Sequence, residues 1–470
     1  MKKTFRIALF LLSLYSGSNA QPPIPTKPQL AWHDMEFYLF AHFGPNTFTG
    51  AEWGHGNEKE EIFNPSQLDC KQWVATAKAA GAKGIIITAK HHDGFCLWPS
   101  KYSTHTVRES KWKNGKGDVL KELSQACKAG GIKFSVYLSP WDRNHPTYGT
   151  PEYNQVFANM LTEIFTTYGP ITELWWDGAN GEGPNGKKMV YDWELFRKTV
   201  RKLSPNTVIF SDIGPDIRWV GNESGIAGAT NWNTLDTDGF EPGAKAPSTD
   251  TLNTGNRFGK YWIPAECDVS IRPGWFYHKE EDEKVKNPEA LFNLYLKSVG
   301  RGATFLLNVP PDGRGKFHAN DSLALVGFHK LLKENFSKDL AAGAPAKIVK
   351  ANGSSKPVKL HTNGDVISPA NMAVNDALQV TFKNTISANC VILGELISKG
   401  QNIARGKIML LKGNEMVDEI PFTTIGRKRI LTFQTTAFDG LKIIVEDANA
   451  TSMISGLSVY RIDDMLLEKQ

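Results

Sequence analysis

The apolar positions divide the chain into two regions with different periodicities. Between about residues 30 and 340, unbroken apolar runs of strand length alternate with amphipathic stretches of helical spacing. Strands of this type are buried on both faces, which is typical of a parallel sheet covered by helices. Seven runs have this character: 37–44, 84–89, 132–140, 171–178, 207–214, 261–268 and 303–310.

Seven strands over about 300 residues fit a (β/α)8-like TIM barrel better than an open sheet. Helices are expected over 67–80, 118–130, 152–168, 192–203, 288–299 and 321–336. The eighth strand has no clear apolar run. Either it lies near 229–235, within the span 225–259 that is rich in Gly, Pro, Asn and Thr, or it is irregular.

Beyond about residue 345 the alternation with helices stops. Short strand candidates follow one another at close spacing, which predicts an antiparallel β-sandwich. The candidates are 378–382, 390–393, 407–411, 416–420, 429–434, 441–446 and 454–460. The predicted organisation is a catalytic barrel over 21–340 and a β-sandwich domain over 346–470.

Residues 1–20 have the layout of a signal peptide. Lys2, Lys3 and Arg6 precede an apolar core over 7–14, and Ala20 ends a site of small residues. This core is too short to span a bilayer, and no comparably long apolar run follows. We therefore expect an exported protein, periplasmic or extracellular, with no membrane span in the mature chain.

Charge and cysteine content exclude several classes of partner. Removal of residues 1–20 lowers the formal net charge from +5 to about +2, so nothing indicates binding to nucleic acid. The five cysteines contain no C-x-x-C pair of the kind that binds a metal. His91 and His92 are adjacent, so as strand residues their side chains would point apart and would not chelate one metal together. No metal or other cofactor is expected, and a metal-dependent barrel hydrolase is the alternative that a chelation assay would detect.

Polar and aromatic residues recur where the predicted strands end, which in a barrel is the edge that carries the active site. The first strand ends at His42, the second runs into His91 and His92, and the fourth ends at Asp177. Asp177 precedes a glycine and could simply start a turn. Its convergence with histidines and aromatics on one rim instead favours a ligand site.

A neutral sugar suits these residues, because polyols are bound by hydrogen bonds and by aromatic faces. Cleavage of a glycosidic bond needs two carboxyl groups. Asp177 ends the fourth strand, and Glu223 lies a few residues beyond the fifth. Neighbouring strands are about 4.8 Å apart, so the separation of roughly 5 to 5.5 Å that marks a retaining mechanism is within reach.

Four segments resemble the α-L-fucosidases of glycoside hydrolase family 29. They are His42-Phe43-Gly44, the His-His-Asp-Gly-Phe segment from His91, the Trp-Trp-Asp-Gly segment ending in Gly178, and the Asn-Val-Pro-Pro-Asp-Gly segment from Asn308. The resemblance covers most of residues 30–335. It implies a (β/α)8-like catalytic domain with a C-terminal β-sandwich, net retention without a metal, and a fucosylated oligosaccharide or glycoconjugate as substrate.

The resemblance also implies roles for individual residues. Asp177 matches the nucleophile, and His42, His91 and His92 match residues that hold the fucose hydroxyls. Further substrate-binding residues are expected in the same pocket: Glu52, Trp53, Tyr137 and Trp275, the last against the C5 methyl group.

Two glutamates are candidates for the acid/base. The segment 218–223 resembles the α-1,3/1,4-specific subgroup, in which the residue matching Glu223 is the acid/base. Glu266 resembles the corresponding residue of a broad-specificity subgroup. Glu223 is favoured, which leaves Glu266 to substrate binding or to pairing with Arg272. A barrel that binds fucose without cleaving it is the remaining alternative.

Overall fold

The structure is a computed structural model that describes residues 22–360 and 365–467, so the predicted signal segment lies outside the described residues. Its first part is a closed barrel of eight parallel strands, in the order β1-β2-β3-β4-β5-β6-β9-β10. The strands up to β10 are β1 Phe37–Ala41, β2 Gly84–Lys90, β3 Lys133–Leu138, β4 Glu173–Trp175, β5 Val208–Ser211, β6 Ile217–Trp219, β7 Thr234–Leu235, β8 Tyr261–Trp262, β9 Ala265–Ser270 and β10 Thr304–Asn308. The predicted (β/α)8-like barrel is confirmed.

Helices connect most of these strands and cover the barrel. They are α1 Lys27–His33, α2 Asn46–Thr49, α3 Cys70–Ala79, α4 Val119–Gly130, α5 Glu152–Thr167, α6 Trp193–Leu203, α7 Thr249–Thr254, α8 Pro288–Lys297 and α9 Ala319–Asn335. Aspartates cap three of them: Asp69, Asp118 and Asp192 each accept a backbone N–H in the first turn. The strands β1 and β2 are buried throughout, as their unbroken apolar sequences predict.

The eighth strand is β6 and not the predicted segment near 229–235. β6 follows β5 after a short connection without a helix, and it contains a buried arginine, so it forms no apolar run. The guanidinium of Arg218 is satisfied by the carbonyls of Leu252 and Trp232, at 2.8 and 3.0 Å. The predicted region instead contains β7, which pairs with β8 in a separate two-stranded ribbon.

The second part of the chain is an antiparallel sheet domain, as predicted. Its strands are β11 Pro345–Val349, β12 Ser355–Lys359, β13 Asp365–Met372, β14 Ala377–Glu395, β15 Ile403–Lys412, β16 Glu415–Phe422, β17 Arg429–Ala448 and β18 Ser452–Tyr460. β14 and β17 each join two predicted strands, because bulges let one strand change direction without a turn. β11, β12 and β13 had no predicted counterpart.

The sheet domain shares a hydrophobic core with the barrel. Cys390, Ile430 and Ile462 belong to the same cluster of buried side chains as the helices around the barrel. The ring of Tyr460 packs edge-on against Phe336, with centroids 5.2 Å apart. All five cysteines are buried and unpaired. Within residues 22–360 and 365–467, no helix is both long and apolar enough to cross a bilayer.

Candidate active site

Asp177 lies two residues beyond β4 and is held by two donors. The Tyr137 hydroxyl donates to Oδ2 at 3.0 Å, and the Ala179 backbone N–H donates to Oδ1 at 2.7 Å. The side chain is nevertheless 24% exposed. The end of β4 therefore presents a carboxyl group that is fixed in orientation and accessible from the rim.

His92 faces this carboxylate. Its Nδ1 lies 2.8 Å from the Ser139 hydroxyl, and that hydroxyl donates to the carbonyl of Trp141. Nδ1 therefore carries the hydrogen, which leaves Nε2 as an acceptor 3.8 Å from Asp177 Oδ2. This gap is too long for a direct hydrogen bond, and both atoms are acceptors, so each could accept from a different hydroxyl group of a ligand.

His42 is oriented in the same way by Asn308 at the end of β10. The amide nitrogen of Asn308 donates to Ser270 and to the carbonyl of Trp275, so its oxygen accepts from His42 Nδ1 at 2.9 Å. His91 lies beside His42, with ring centroids 5.8 Å apart, and stacks on Tyr137. The predicted histidines and Tyr137 thus form one cluster next to Asp177.

These imidazoles are neutral near neutral pH because they are buried. Burial lowers the pKa of His42 to about 3. Burial also lowers the pKa of His92 to about 4, although the charge of Asp177 opposes the shift. The pKa of His91 is well below its usual value, first through burial and then through the neighbouring His92. The cluster therefore offers hydrogen-bonding groups without positive charge.

A cavity of about 350 Å³ opens at this rim, and both predicted catalytic acids line it. Its other polar walls are Asp212 and Asp268, and Trp219 lies among its aromatic walls. Glu223 follows β6, however, so the prediction that it follows the fifth strand is wrong. β5 lies between β4 and β6, and it is the loop after β6 that brings Glu223 to the cavity shared with Asp177.

Trp275 links Glu223 to the histidine cluster. Its indole N–H donates to Glu223 Oε2 at 3.2 Å, and its ring centroid lies 5.1 Å from that of His42. Glu223 itself is exposed and lines the cavity. Trp275, the aromatic residue predicted to face the sugar, therefore contacts both Glu223 and His42.

Glu52 and Trp53 lie on the loop after α2. The carboxylate of Glu52 accepts the backbone N–H groups of Trp275 and Phe276 and contacts His278 at 2.6 Å, so it fixes the segment that carries Trp275. Trp53 is 56% exposed, and its ring packs edge-on against His92 at 5.4 Å. Trp53 thus extends the aromatic rim, whereas Glu52 holds it in place.

Glu266 lies elsewhere, in the closed interior of the barrel. It is fully buried and accepts from Trp175 Nε1 at 2.7 Å and from the Tyr38 hydroxyl. Glu173 adjoins it, and burial is the main cause that raises the pKa of both carboxyl groups. Glu266 does not line the 350 Å³ cavity, and its partners do not include Arg272, which pairs with Asp282 and Asp321.

Two cavity-lining acids were absent from the predicted site. Asp212 accepts the Gly243 backbone N–H at 3.0 Å, and Asp268 accepts from Trp219 Nε1 at 2.9 Å. Burial raises the pKa of Asp268 well above its usual value, and the nearby Glu223 adds to this rise. Asp212 comes directly after β5 and Asp268 lies near the end of β9, so attention to the last polar residue of each strand would have found them.

No group of three or more His, Cys, Asp or Glu side chains in the described parts of the chain is arranged to hold a metal ion. The chemistry that the site can perform directly is that of its side chains: a fixed carboxylate, a second acid across one cavity and neutral imidazoles beside them. Such an arrangement suits a neutral, hydroxyl-rich ligand and displacement at a carbon by a carboxylate.

Sequence comparisons identify the family of this chain. The family model for α-L-fucosidase matches residues 20–336. Alpha-L-fucosidase 1 of Arabidopsis thaliana is 41% identical over 448 residues, which cover 93% of this chain and 87% of the relative. Tissue alpha-L-fucosidase of Homo sapiens is 27% identical over 66% of this chain and 71% of its own length.

Solved structures show the same architecture. A glycoside hydrolase 29 family member from a rumen bacterium superposes with a TM-score of 0.84 at 40% identity, over 94% of this chain and 78% of that one. A family 29 fucosidase of Ruminococcus gnavus in complex with fucose gives 0.81 at 30% identity, over 96% and 98%. The chain therefore belongs to the α-L-fucosidases of glycoside hydrolase family 29.

Proposed function

We propose that this protein is a retaining exo-α-L-fucosidase in which Asp177 is the nucleophile and Glu223 is the acid/base. The observation that supports this assignment is that the two carboxyl groups line one cavity, Asp177 beside His92 and Glu223 at an exposed position. A terminal fucose would lie between them, with the remainder of the glycan toward the exposed Glu223.

The reaction then proceeds in two displacements. An oxygen of Asp177 attacks the anomeric carbon of fucose, and the bond to the leaving oxygen breaks as Glu223 protonates that oxygen. Glu223, now ionised, takes a proton from water, and the water oxygen displaces Asp177 from the anomeric carbon. Two inversions at one carbon release fucose with its original α configuration.

Burial and position favour Glu223 over Glu266 as the acid. A proton donor must reach the oxygen between fucose and the rest of the glycan, and Glu223 is exposed where that oxygen would lie. Glu266 is enclosed among Tyr38, Trp175 and Glu173. The broad-specificity alternative with Glu266 as acid/base would require this network to open.

Chemical rescue with azide distinguishes the role of Asp177 from that of Glu223. Asp177→Gly should lower kcat on an aryl fucoside by about 10⁴-fold or more, because no covalent intermediate forms. Azide should then enter directly and give the β-fucosyl azide. Glu223→Ala should lose far more activity on a natural oligosaccharide than on an aryl fucoside with a good leaving group.

In Glu223→Ala, azide should intercept the fucosyl-enzyme and give the α-fucosyl azide. The anomer, read by proton NMR, therefore assigns each carboxyl group. A β product from Glu223→Ala, or rescue of Glu266→Ala with the pattern described for Glu223, would refute the assignment. Glu266→Gln is the matched control, since it keeps the buried shape without the charge.

We further propose a preference for α-1,3 and α-1,4 linkages, supported by the segment 218–223 that carries Glu223. Release of fucose from oligosaccharides that differ only in linkage tests it; equal rates on α-1,2, α-1,3, α-1,4 and α-1,6 isomers would exclude the preference.

Export to the periplasm or the outside is proposed from residues 1–20 and is tested by fractionating cells that express the full chain.

A further inference from the structure

A second cavity, of about 620 Å³, lies beside the active-site cavity. Four aromatic residues line it, and we call it the aromatic groove: Trp176, Tyr191, Trp193 and Phe240. The ring of Trp193 contacts those of Trp176 and Tyr191, with centroids 5.5 and 5.1 Å apart. Aromatic faces of this kind pack against the C–H surfaces of sugars, so the groove has the lining of a carbohydrate site.

The aromatic groove and the active-site cavity share a wall. At the end of β4, Asp177 lines the cavity and Trp176 lines the groove. After β5, Asp212 lines the cavity and Ile213 the groove. The loop 240–246 likewise contributes to both sides. The two cavities therefore lie on opposite sides of these three chain segments.

The charges of the aromatic groove favour a neutral ligand. Its lining includes the acids Asp192, Glu194 and Glu241 but a single cation, Arg197. The guanidinium of Arg197 is paired with Glu194 at 2.5 Å. No free cation remains along this lining to attract a carboxylate, phosphate or sulfate, and the acids would repel one.

Trp176 also carries an unused hydrogen-bond donor. Its indole N–H is buried, and none of the described residues accepts it. A buried donor without a partner destabilises the folded protein, and this one belongs to a side chain that lines the groove.

We propose that the aromatic groove binds a neutral, non-fucosylated part of the same glycan whose fucose occupies the active-site cavity. The groove takes sugar because it combines aromatic faces, an unpaired donor and an acidic rim without a free cation. It takes the same glycan because it adjoins the cavity across a wall only a few residues thick. The inference rests on the fucosidase activity of the family and not on which glutamate is the acid.

Kinetics on substrates of two sizes tests the proposal. Trp193→Ala should raise KM for a fucosylated pentasaccharide about fivefold to tenfold, the loss expected for one aromatic contact. The variant should leave kcat and KM for an aryl fucoside, which cannot reach the groove, unchanged. Phe258→Ala is the matched control, because Phe258 is a 76% exposed aromatic residue that lines neither cavity.

A second variant tests the same groove in case Trp193→Ala misfolds. Val190, at the groove, is 85% exposed, so Val190→Arg should fold normally and obstruct the groove with a long cationic side chain. It should show the same rise in KM on the pentasaccharide alone. An unchanged KM in Val190→Arg, or an equal loss on both substrates, would overturn the proposal.

Direct binding supplies the remaining test and does not require turnover. Lacto-N-tetraose, a neutral tetrasaccharide without fucose, is titrated into the wild-type protein by calorimetry in excess free fucose, which fills the active-site cavity. Binding that Val190→Arg abolishes supports the groove. Absence of binding, or binding that Val190→Arg does not change, contradicts it. Failure of the wild type to cleave the aryl fucoside would instead count against the proposed function.

Discussion

The environment of each acid along one strand decides what that acid can do. Glu173 at the start of β4 is fully buried, whereas Asp177 just beyond its end is 24% exposed and held by two donors. Burial, followed by the charge of Glu266, raises the pKa of Glu173 well above 4.5. Four residues therefore separate a buried carboxyl group that keeps its proton from a partly exposed one that two donors hold at the rim.

Glu173→Gln should make stability less dependent on pH. In the wild type, folded Glu173 retains a proton that the unfolded chain releases above pH 4.5, so this residue's contribution to stability is present below pH 4.5 and lost as pH rises through the folded pKa. The loss is about 1.4 kcal/mol per pH unit in that window. The glutamine side chain has an N–H that can donate to Glu266 and an oxygen that can accept from Trp32, and it does not titrate.

The measurement is thermal unfolding of both proteins between pH 4 and 8. The Tm of Glu173→Gln minus that of the wild type should increase as pH rises above 4.5. Glu415→Gln, at an exposed position on β16, is the control and should give a difference that does not vary with pH. A constant difference for Glu173→Gln as well would show that Glu173 is ionised in the folded protein.

The loop 239–246 packs closely against the segment that contains Asp177. Gly243 has φ +70°, and a Cβ there would lie 2.4 Å from the carbonyl oxygen of Gly178, the residue after Asp177. The Asp212 carboxylate accepts the Gly243 N–H. Gly239 in the same loop has φ +81° but open space around it. The loop therefore lines the cavity and contacts the residue after Asp177 through Gly243.

Gly243→Ala should lower kcat/KM on the aryl fucoside by about tenfold or more, because the new methyl group displaces Gly178 and with it Asp177. Gly239→Ala carries the same left-handed backbone strain, about 1 kcal/mol, without the clash and should keep nearly full activity. The measurement is kcat/KM of the two variants on the aryl fucoside, from steady-state kinetics. Equal activities would mean that backbone strain, and not the contact with Gly178, governs the loop.

At the scale of the whole molecule, the sheet domain supports the segment that leads into this loop. The buried Gln401 side chain accepts the Asn233 N–H at 2.7 Å and donates to the Asn231 carbonyl at 3.0 Å. Asn231 in turn accepts from Arg218 on β6 at 3.0 Å. The barrel and the sheet domain are thus joined by polar contacts as well as by a shared core.

Gln401→Ala should lower the free energy of unfolding by about 2 kcal/mol, because a buried N–H and a buried C=O lose their partners. Urea denaturation of the two proteins measures this loss. Gln434→Ala removes an exposed glutamine from the same domain and should change stability little. Activity on the aryl fucoside should persist in both at low temperature; a Gln401→Ala protein as stable as the control would show that water replaces the lost contacts.

The sequence by itself determined the barrel, the all-β second region and the rim residues His42, His91, His92, Tyr137 and Asp177. These features depend on local patterns: unbroken apolar runs mark strands buried on both faces, and the residue that ends such a run lies on the rim. The family resemblance rested on the same short segments. Their positions follow from the fold class alone, which is why they could be predicted.

Only the tertiary structure decided which strand carries Glu223 and what surrounds each acid. β6 is short and contains Arg218, whose guanidinium donates hydrogen bonds to carbonyl groups distant in sequence. The sequence of β6 is therefore not an apolar run, and the strand could not be predicted from periodicity. Glu266 and Asp268 lie two residues apart on the same face of β9, but Asp268 is nearer the C-terminal end of the strand, so Glu266 joins Glu173 inside the barrel while Asp268 reaches the cavity with Asp212. Burial and long-range contacts set these outcomes, and neither is encoded in local periodicity.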